Sequence, residues 1–319
     1  MRRRELLAAL ALGPATAPAW AQGLRPHKIG YLHPRTTALD SPTVAVLRPA
    51  WERLGYVTGE SVITRSAEGD LRRLPDLAAE LIKEGSGVLI AVGPAALAAA
   101  SRTGAPVVAI DQETDPVRAG LAVSYSRPGG NVTGLFVDQP TLAGKMVDLL
   151  KDAAPGIEQI AIVRSYATTP EQLDAAHRAA RARGLEPIEI QADEPGGFDG
   201  AFLRIGGTGS VGAIALPTPG FIVDAHDFAA AAVRYQVPTL AFLRAYMRDG
   251  ILLTYGPNQS EYFPRAVVLA QRILRGEKPG DLPIEQPTQY ELVLNIRTAR
   301  LLGLSFPPAL LAQADEVVE

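Results

Sequence analysis

The sequence predicts an α/β protein made of two Rossmann-like lobes, whose parallel sheets are joined by a three-crossing hinge. Short apolar runs typical of strands alternate with segments of helical period almost without interruption, which is the pattern of parallel sheets covered by helices. The chain has 319 residues with 47% hydrophobic content, and one core rarely grows beyond roughly 250 to 300 residues. The alternation also breaks near the end of the chain, which indicates that the chain crosses between the two lobes there.

The first lobe begins with a series of strands and helices. Its first strand ends at His33-Pro34, the helix that follows has apolar residues three and four apart and Gly55 at its end, and the last helix has proline in its first turn. The predicted strands are 28–34, 61–67, 87–93 and 105–110, and the predicted helices are 43–56, 71–85 and 94–104.

A second series with the same rhythm follows the stretch RPGGNVTG at 127–134. Two series of similar length predict two similar lobes, although the two share no visible sequence repeat. The predicted helices are 142–156, 170–184, 198–207 and 225–236, and the predicted strands are 159–165, 185–192, 211–217 and 237–242.

The end of the chain departs from this pattern. A strand at 250–257 and a long helix at 260–276 are followed by the Pro-rich stretch 277–289, which cannot be helical, and then by one more strand and helix at 290–303. Crossings between the lobes near Thr133, near Thr254 and near Gln286 explain this layout. The predicted lobes are therefore 26–133 plus 254–286, and 134–253 plus 287–319.

The first 22 residues predict export. Arginines at positions 2 to 4 precede an apolar run that is too short to span a membrane, and Ala19-Trp20-Ala21 precedes Gln22 as a small-x-small cleavage pattern. We expect a cleavable signal peptide over 1–21 and a periplasmic protein, by either the general or the twin-arginine route.

Composition limits the kinds of partner and membrane attachment that we expect. No later stretch approaches the roughly 18 apolar residues of a spanning helix, so the mature chain is not expected to be membrane-embedded. With no cysteine and a net charge of -3, we expect neither a lipid anchor nor a nucleic-acid partner. The expected state is a monomer.

The sequence contains no cofactor, metal or catalytic motif in the structural context that its function requires. The run G-x-G-x-x-G occurs at 207–212, but it follows a predicted helix and opens a strand, the reverse of a dinucleotide fingerprint. The histidines lack metal-ligand spacing, and neither a Walker motif nor a G-x-S-x-G elbow occurs. We expect no cofactor, no metal and no catalytic residue.

The stretch IAVGPAALAAA, residues 90–100, is the first candidate binding element. A strand runs through Gly93-Pro94 directly into a helix, and the backbone N–H groups of Ala95 and Ala96 belong to its first turn. A helix start at the carboxyl end of a strand favours an anion, and this is the ligand edge of open α/β sheets. An ordinary capped turn is an equally open interpretation.

Other candidates also follow predicted strands. A carboxylate of Asp111, Glu113 or Asp115 at the end of a strand can receive a ligand ammonium group. The alternative, a solvated acidic loop, fits Asp111 and Glu113 slightly better than Asp115, which Pro116 holds extended. His33 is a minor candidate, and tyrosines near strand ends can stack on a ligand. The full candidate ligand-binding set is His33, Gly93, Pro94, Ala95, Ala96, Asp115, Tyr166, Thr168, Thr218 and Tyr255.

Several stretches together resemble the TrpX-like ABC transporter substrate-binding protein family, which includes tryptophan-binding lipoproteins. They are DPVRAGLAVSYSRPGGNVTGL, YGPNQSEYFPRAV and LPIEQPTQYELVLNIRTARLLGL. The resemblance implies a type I periplasmic-binding-protein fold, with ligand-facing turns at 93–95, at Asp115 and at Tyr255-Gly256. The chain departs from the family in having no lipobox cysteine, and in the turn YATTP, where relatives commonly carry an acidic and an asparagine residue.

The leading hypothesis is a non-catalytic periplasmic receptor that delivers a small solute to the membrane permease of an ABC importer. The ligand would be amino-acid-like or a carboxylate, including aromatic ones, with its carboxylate on the helix start 93–96 and its ammonium near Asp115. Tyr166 and Tyr255 would border its side chain. The alternatives are a sensor subunit for a membrane kinase or a non-ABC transporter, and a periplasmic hydrolase or isomerase.

Overall fold

A computed structural model of the chain describes residues 28–35, 42–164, 168–191, 197–207, 209–217 and 225–319. Within these ranges the backbone forms two separate sheets with helices packed against them. The predicted α/β fold class with two parallel-dominated sheets is confirmed.

The first sheet is wholly parallel. Its strands are β1 Lys28–His33, β2 Val62–Ser66, β3 Ser86–Val92, β4 Val107–Asp111 and β5 Val132–Phe136, and its order is β2-β1-β3-β4-β5. The helices after β1, β2 and β3 are α1 Pro42–Arg53, α2 Leu74–Lys83 and α3 Gly93–Ser101.

Alternation along β1 divides the first core between two faces, because successive strand residues point to opposite sides. Ile29 and Tyr31 are buried with residues of α1, whereas Leu32 is buried with residues of α2 and α3.

The second sheet is mixed. After α4 Gln139–Ala153 come β6 Gln159–Arg164, α5 Pro170–Ala182, β7 Glu186–Gln191, α6 Gly197–Leu203, β8 Val211–Ala215, α7 Ala225–Arg234, β9 Thr239–Ala241 and β10 Leu253–Pro257. Next are α8 Gln259–Tyr262, α9 Pro264–Leu274, β11 Tyr290–Asn295, α10 Ile296–Leu301, α11 Pro308–Leu311 and β12 Glu316–Val318. The order is β12-β11-β10-β9-β8-β6-β7, in which β10 and β11 pair antiparallel. No helix in the described ranges has the length and apolar character to cross a membrane.

Strand β5 is an element that the sequence did not predict. Glycines precede it and Gly134 lies within it. Because glycine is uncommon inside strands, the local sequence does not predict a strand here. Gly134 has φ +140°, and a Cβ there would contact the backbone of Ala109 on β4, including Cα at 2.8 Å. This close approach explains why glycine occupies the middle of a buried strand.

Two lobe boundaries drawn from the sequence differ from the sheet pairing. Gly134 to Phe136, predicted in the second lobe, pair with β4 of the first sheet. Thr254 to Pro257, predicted in the first lobe, pair with β9 or β11 of the second sheet. Each strand pairs with the strand before it in the chain and so stays in that sheet, and a local pattern does not reveal this pairing.

The three connections between the sheets are tied together on the side of the first sheet. The return segment runs beside β5, where the N–H of Phe136 donates to the carbonyl of Glu285 at 3.0 Å. The Tyr262 hydroxyl lies 2.9 Å from the carbonyl oxygen of Phe136 and 2.8 Å from that of Glu285. Burial raises the pKa of Tyr262, so this hydroxyl keeps its proton and remains a donor to both connections.

Candidate functional site

The carboxyl ends of three neighbouring strands bring candidate residues to one edge of the first sheet. Leu32 of β1 is in register with Ala91 of β3, and Val92 of β3 is in register with Ile110 of β4. His33 and Asp111 therefore end their strands, and Gly93 follows the end of β3, all within one residue of the same level. This edge is where open α/β sheets bind ligands.

The second lobe contacts this edge. The Thr169 hydroxyl, just before α5, donates to the carbonyl oxygen of Glu113 at 3.3 Å. Farther out, Arg118 Nη2 lies 3.8 Å from Glu171 Oε1. The space between these strand ends of the two sheets, called the interlobe cleft below, is thus bridged by side chains from both lobes.

The start of α3 has the geometry expected of an anion site. Val92 is extended before the helix and no side chain caps it, Gly93 has φ +75°, and Pro94 occupies the first turn. The first N–H groups of a helix have no intrahelical partner. Ala95 is half-buried, whereas the Ala96 side chain is buried in the core, so only the backbone of Ala96 can serve a ligand.

The acidic turn after β4 is buried, which excludes the alternative interpretation of Asp111 and Glu113 as a solvated acidic loop. Asp111 is 0% and Glu113 is 3% exposed. Asp111 Oδ1 accepts from the N–H of Glu113 at 2.9 Å and from that of Thr114 at 3.1 Å, which turns the chain back at the strand end. A local sequence pattern cannot reveal burial that depends on tertiary contacts.

Asp115 is half-buried and uses one oxygen within its own turn. Its Oδ1 accepts from the N–H groups of Val117 at 3.0 Å and Arg118 at 3.2 Å. Within the described part of the chain its Oδ2 accepts no hydrogen bond, so this oxygen is open to a ligand.

Burial raises the pKa of Glu113 well above its ordinary value of 4.5, and the charge of Asp111 and the hydrogen bond between the two carboxyl groups raise it further. The folded protein then binds this proton more tightly than the unfolded chain does. Stability from this group is complete below the ordinary pKa of glutamate and is lost as the pH rises towards the folded-state pKa.

We expect Glu113→Gln to remove this pH dependence, because a neutral amide replaces the carboxyl group and can still donate to Asp111. The free energy of unfolding should match wild type near pH 4.5 and below, and exceed it at neutral pH. The difference should grow by at most about 1.4 kcal/mol per pH unit, the value for one proton. Urea denaturation at several pH values measures it, and a variant less stable than wild type at pH 7 would contradict the assignment.

His33 is buried at the end of β1. Its Nδ1 accepts from the N–H of Arg35 at 3.1 Å, and its ring stacks on Tyr31 at 6.1 Å. Burial, and secondarily the charge of Arg35, lower its pKa to about 4. His33 is therefore a neutral ring at physiological pH.

The remaining candidates divide into two groups. Tyr255 lies on β10, where its ring stacks on Tyr290 at 5.4 Å between centroids, and Thr168 is half-buried just before α5. Tyr166 and Thr218 lie outside the described residues.

Gln172 is a cleft residue that the sequence reasoning missed. It is fully buried, its Nε2 donates to the carbonyl of Pro217 at 2.7 Å, and its Oε1 accepts from the N–H of Thr169 at 2.8 Å. It thereby joins the turns after β6 and β8. The signal was available, since Thr169 followed three residues later by glutamine is a capping box.

A separate groove of about 1010 Å³ lies beside the hinge, between α1 and the second lobe, and no described candidate residue lines it. Two of its charged side chains already have partners: Arg244 pairs with Glu316, and Asp249 pairs with His226. The interlobe cleft, where the buried Asp111 Oδ2 has no hydrogen-bond partner among the residues that the structure describes, is the better candidate site.

Comparisons with known proteins agree with this geometry. The family model described as ABC transporter substrate binding protein matches residues 43–318. The "Tyrosine-binding protein" of Clostridioides difficile (strain R20291) is 25% identical over 265 residues, covering 80% of this chain and 74% of that protein.

Two solved structures share the fold. A conserved domain protein from Vibrio cholerae O1 biovar El Tor superposes with a TM-score of 0.81 at 24% identity, covering 92% of this chain and 100% of that one. The ABC domain in complex with L-Trp from Streptococcus pneumonia superposes with a TM-score of 0.80 at 20% identity, covering 91% of this chain and 100% of that one.

Proposed function

Since the chain belongs to the family of ABC transporter substrate-binding proteins, we propose that it is the receptor of an importer for an aromatic amino acid. It captures tyrosine or tryptophan in the interlobe cleft and delivers the ligand to a membrane permease. The observation that carries the ligand class is the similarity to a protein named for tyrosine binding. The L-Trp complex of the same fold supports it.

The cleft offers complementary groups for both ends of an amino acid. The uncapped start of α3 suits a carboxylate, because its N–H groups and the helix dipole favour negative charge. The acidic turn suits an ammonium, with carboxyl groups at positions 111, 113 and 115. Tyr166 and Tyr255 remain the proposed neighbours of the ligand side chain. His33, Thr168 and Thr218 remain candidate ligand-binding residues.

Binding without chemistry is part of the proposal. Closure of the lobes on the ligand shifts the population towards the form that a permease recognises, which requires different ligand affinities in the open and closed states. The signal peptide over 1–21, which lies outside the described residues, belongs to the same proposal. Sequencing of the mature protein from the periplasm should begin at Gln22.

We expect isothermal titration calorimetry to give a Kd of micromolar order, about -8 kcal/mol, for L-tyrosine or L-tryptophan. L-Leucine and the D-enantiomers serve as controls for the ring and for chirality. Native mass spectrometry of protein purified without refolding should show the same ligand mass. If no aromatic amino acid gives binding heat or a thermal shift, the proposed ligand class is wrong.

A further inference from the structure

The side chains of Asp111 and Glu113, called the acidic pair below, lie buried at the carboxyl end of β4. Neither forms an ion pair with a described Lys, Arg or His side chain. Two buried carboxyl groups without a cation are costly, because each loses its hydration and repels the other. The pair is therefore relieved by a proton or by a cation.

Two polar atoms at the pair also lack partners among the described residues. With both carboxyl groups ionised, Asp111 Oδ2 receives no hydrogen bond, and Nε2 of the buried Gln112 donates none. Buried polar groups in folded proteins are nearly always hydrogen-bonded. The unsatisfied Asp111 Oδ2 is an acceptor at the pair, and it matches the ammonium of an amino acid, which is a donor.

We propose that the acidic pair is the subsite for the amino group of the ligand, and that it makes the receptor select amines over their deaminated analogues. That the bound amine carries an aromatic side chain rests on the proposed function. That the pair binds an amino group does not. In this proposal the ligand ammonium lies at the acidic pair, which is more deeply buried, and not beside Asp115, which caps its own turn. The bond from Thr169 to the Glu113 carbonyl places the second lobe over this subsite.

A matched set of three ligands tests the selection. Tyramine lacks the carboxylate of tyrosine, and 3-(4-hydroxyphenyl)propionate lacks the ammonium. Tyramine should bind more weakly than tyrosine but measurably, since it keeps the charged group that the pair receives. The propionate should bind about 100-fold more weakly than tyrosine, because it leaves charged hydrogen-bond partners unsatisfied.

Two isosteric variants test the residues. Asp111→Asn and Glu113→Gln keep the acceptors used by the turn, and each should weaken tyrosine and tyramine binding about 10- to 100-fold. The propionate affinity should not fall. Glu277→Gln is the control, since Glu277 is an exposed carboxylate of the first lobe that pairs with Arg272. Because Glu113→Gln is expected to be more stable than wild type at neutral pH, its loss of affinity cannot come from unfolding.

Each outcome decides between the two proposals. Tyrosine binding that is weakened in both variants but not in Glu277→Gln supports the subsite, and unchanged binding overturns it while the proposed function stands. If wild type binds tyramine but no aromatic amino acid, and the variants lose tyramine, the amino-acid ligand is wrong and the subsite holds. Binding of neither compound overturns both.

Discussion

Ala95→Asp is expected to lower the affinity for an aromatic amino acid at least about 100-fold. The new carboxylate would occupy the first turn of α3, where, in the proposed binding mode, the helix dipole and the free N–H groups attract the ligand carboxylate. Like charges brought together at a binding surface cost several kcal/mol, and about 2.8 kcal/mol is a factor of 100. Stability should not fall, because a negative charge near a helix start is favourable.

Two controls separate charge from shape in this experiment. Ala95→Asn has nearly the same volume without the charge, and Ala98→Asp carries the charge on the same helix, but farther from its start. Calorimetry should show the large loss for Ala95→Asp alone. An equal loss for Ala95→Asn would indicate a steric effect, and wild-type affinity of Ala95→Asp would show that the carboxylate binds elsewhere.

Gly134→Ala is expected to destabilise the protein by about 2 to 6 kcal/mol. A Cβ at this position would collide with the backbone of Ala109, and alanine is strained at φ +140°. Backbone strain and overpacking of a core each cost about 1 to 3 kcal/mol. Folded domains have only about 5 to 15 kcal/mol in total, so much of the first lobe would unfold under mild conditions.

Gly144→Ala is the matched control for this substitution. Gly144 lies in α4, and no atom within 4 Å would meet its Cβ. Alanine in a helix is favoured over glycine by about 0.5 to 1 kcal/mol. Thermal melts followed by circular dichroism should therefore shift in opposite directions, and an unchanged melting temperature of Gly134→Ala would contradict the described contact.

The strands of the first sheet show which features a sequence reveals. β1, β3 and β4 are largely apolar runs that each adjoin a helix in the chain, so their existence and the helix start at Gly93 followed from local pattern. β5 did not, because Gly134 interrupts its pattern while its stability comes from pairing with Ala109 and the other residues of β4.

The acidic turn shows why the site was only partly predictable. The position of Asp111 at a strand end followed from the sequence, whereas its burial depends on tertiary contacts. Among these, Thr169 contacts Glu113 from the other lobe, across more than fifty positions of sequence. Such burial reverses the expected chemistry of a carboxyl group, and no local composition carries that information.

The late position of helix α9 in the sequence affects how the chain folds. It packs against α1, β3 and β4, yet it follows almost the entire second lobe in sequence. The first lobe cannot complete its core until this late segment has been made, so folding depends on contacts between remote parts of the chain. Chains of this kind fold slowly, and we expect the newly made protein to remain unfolded well after its first half has been synthesised.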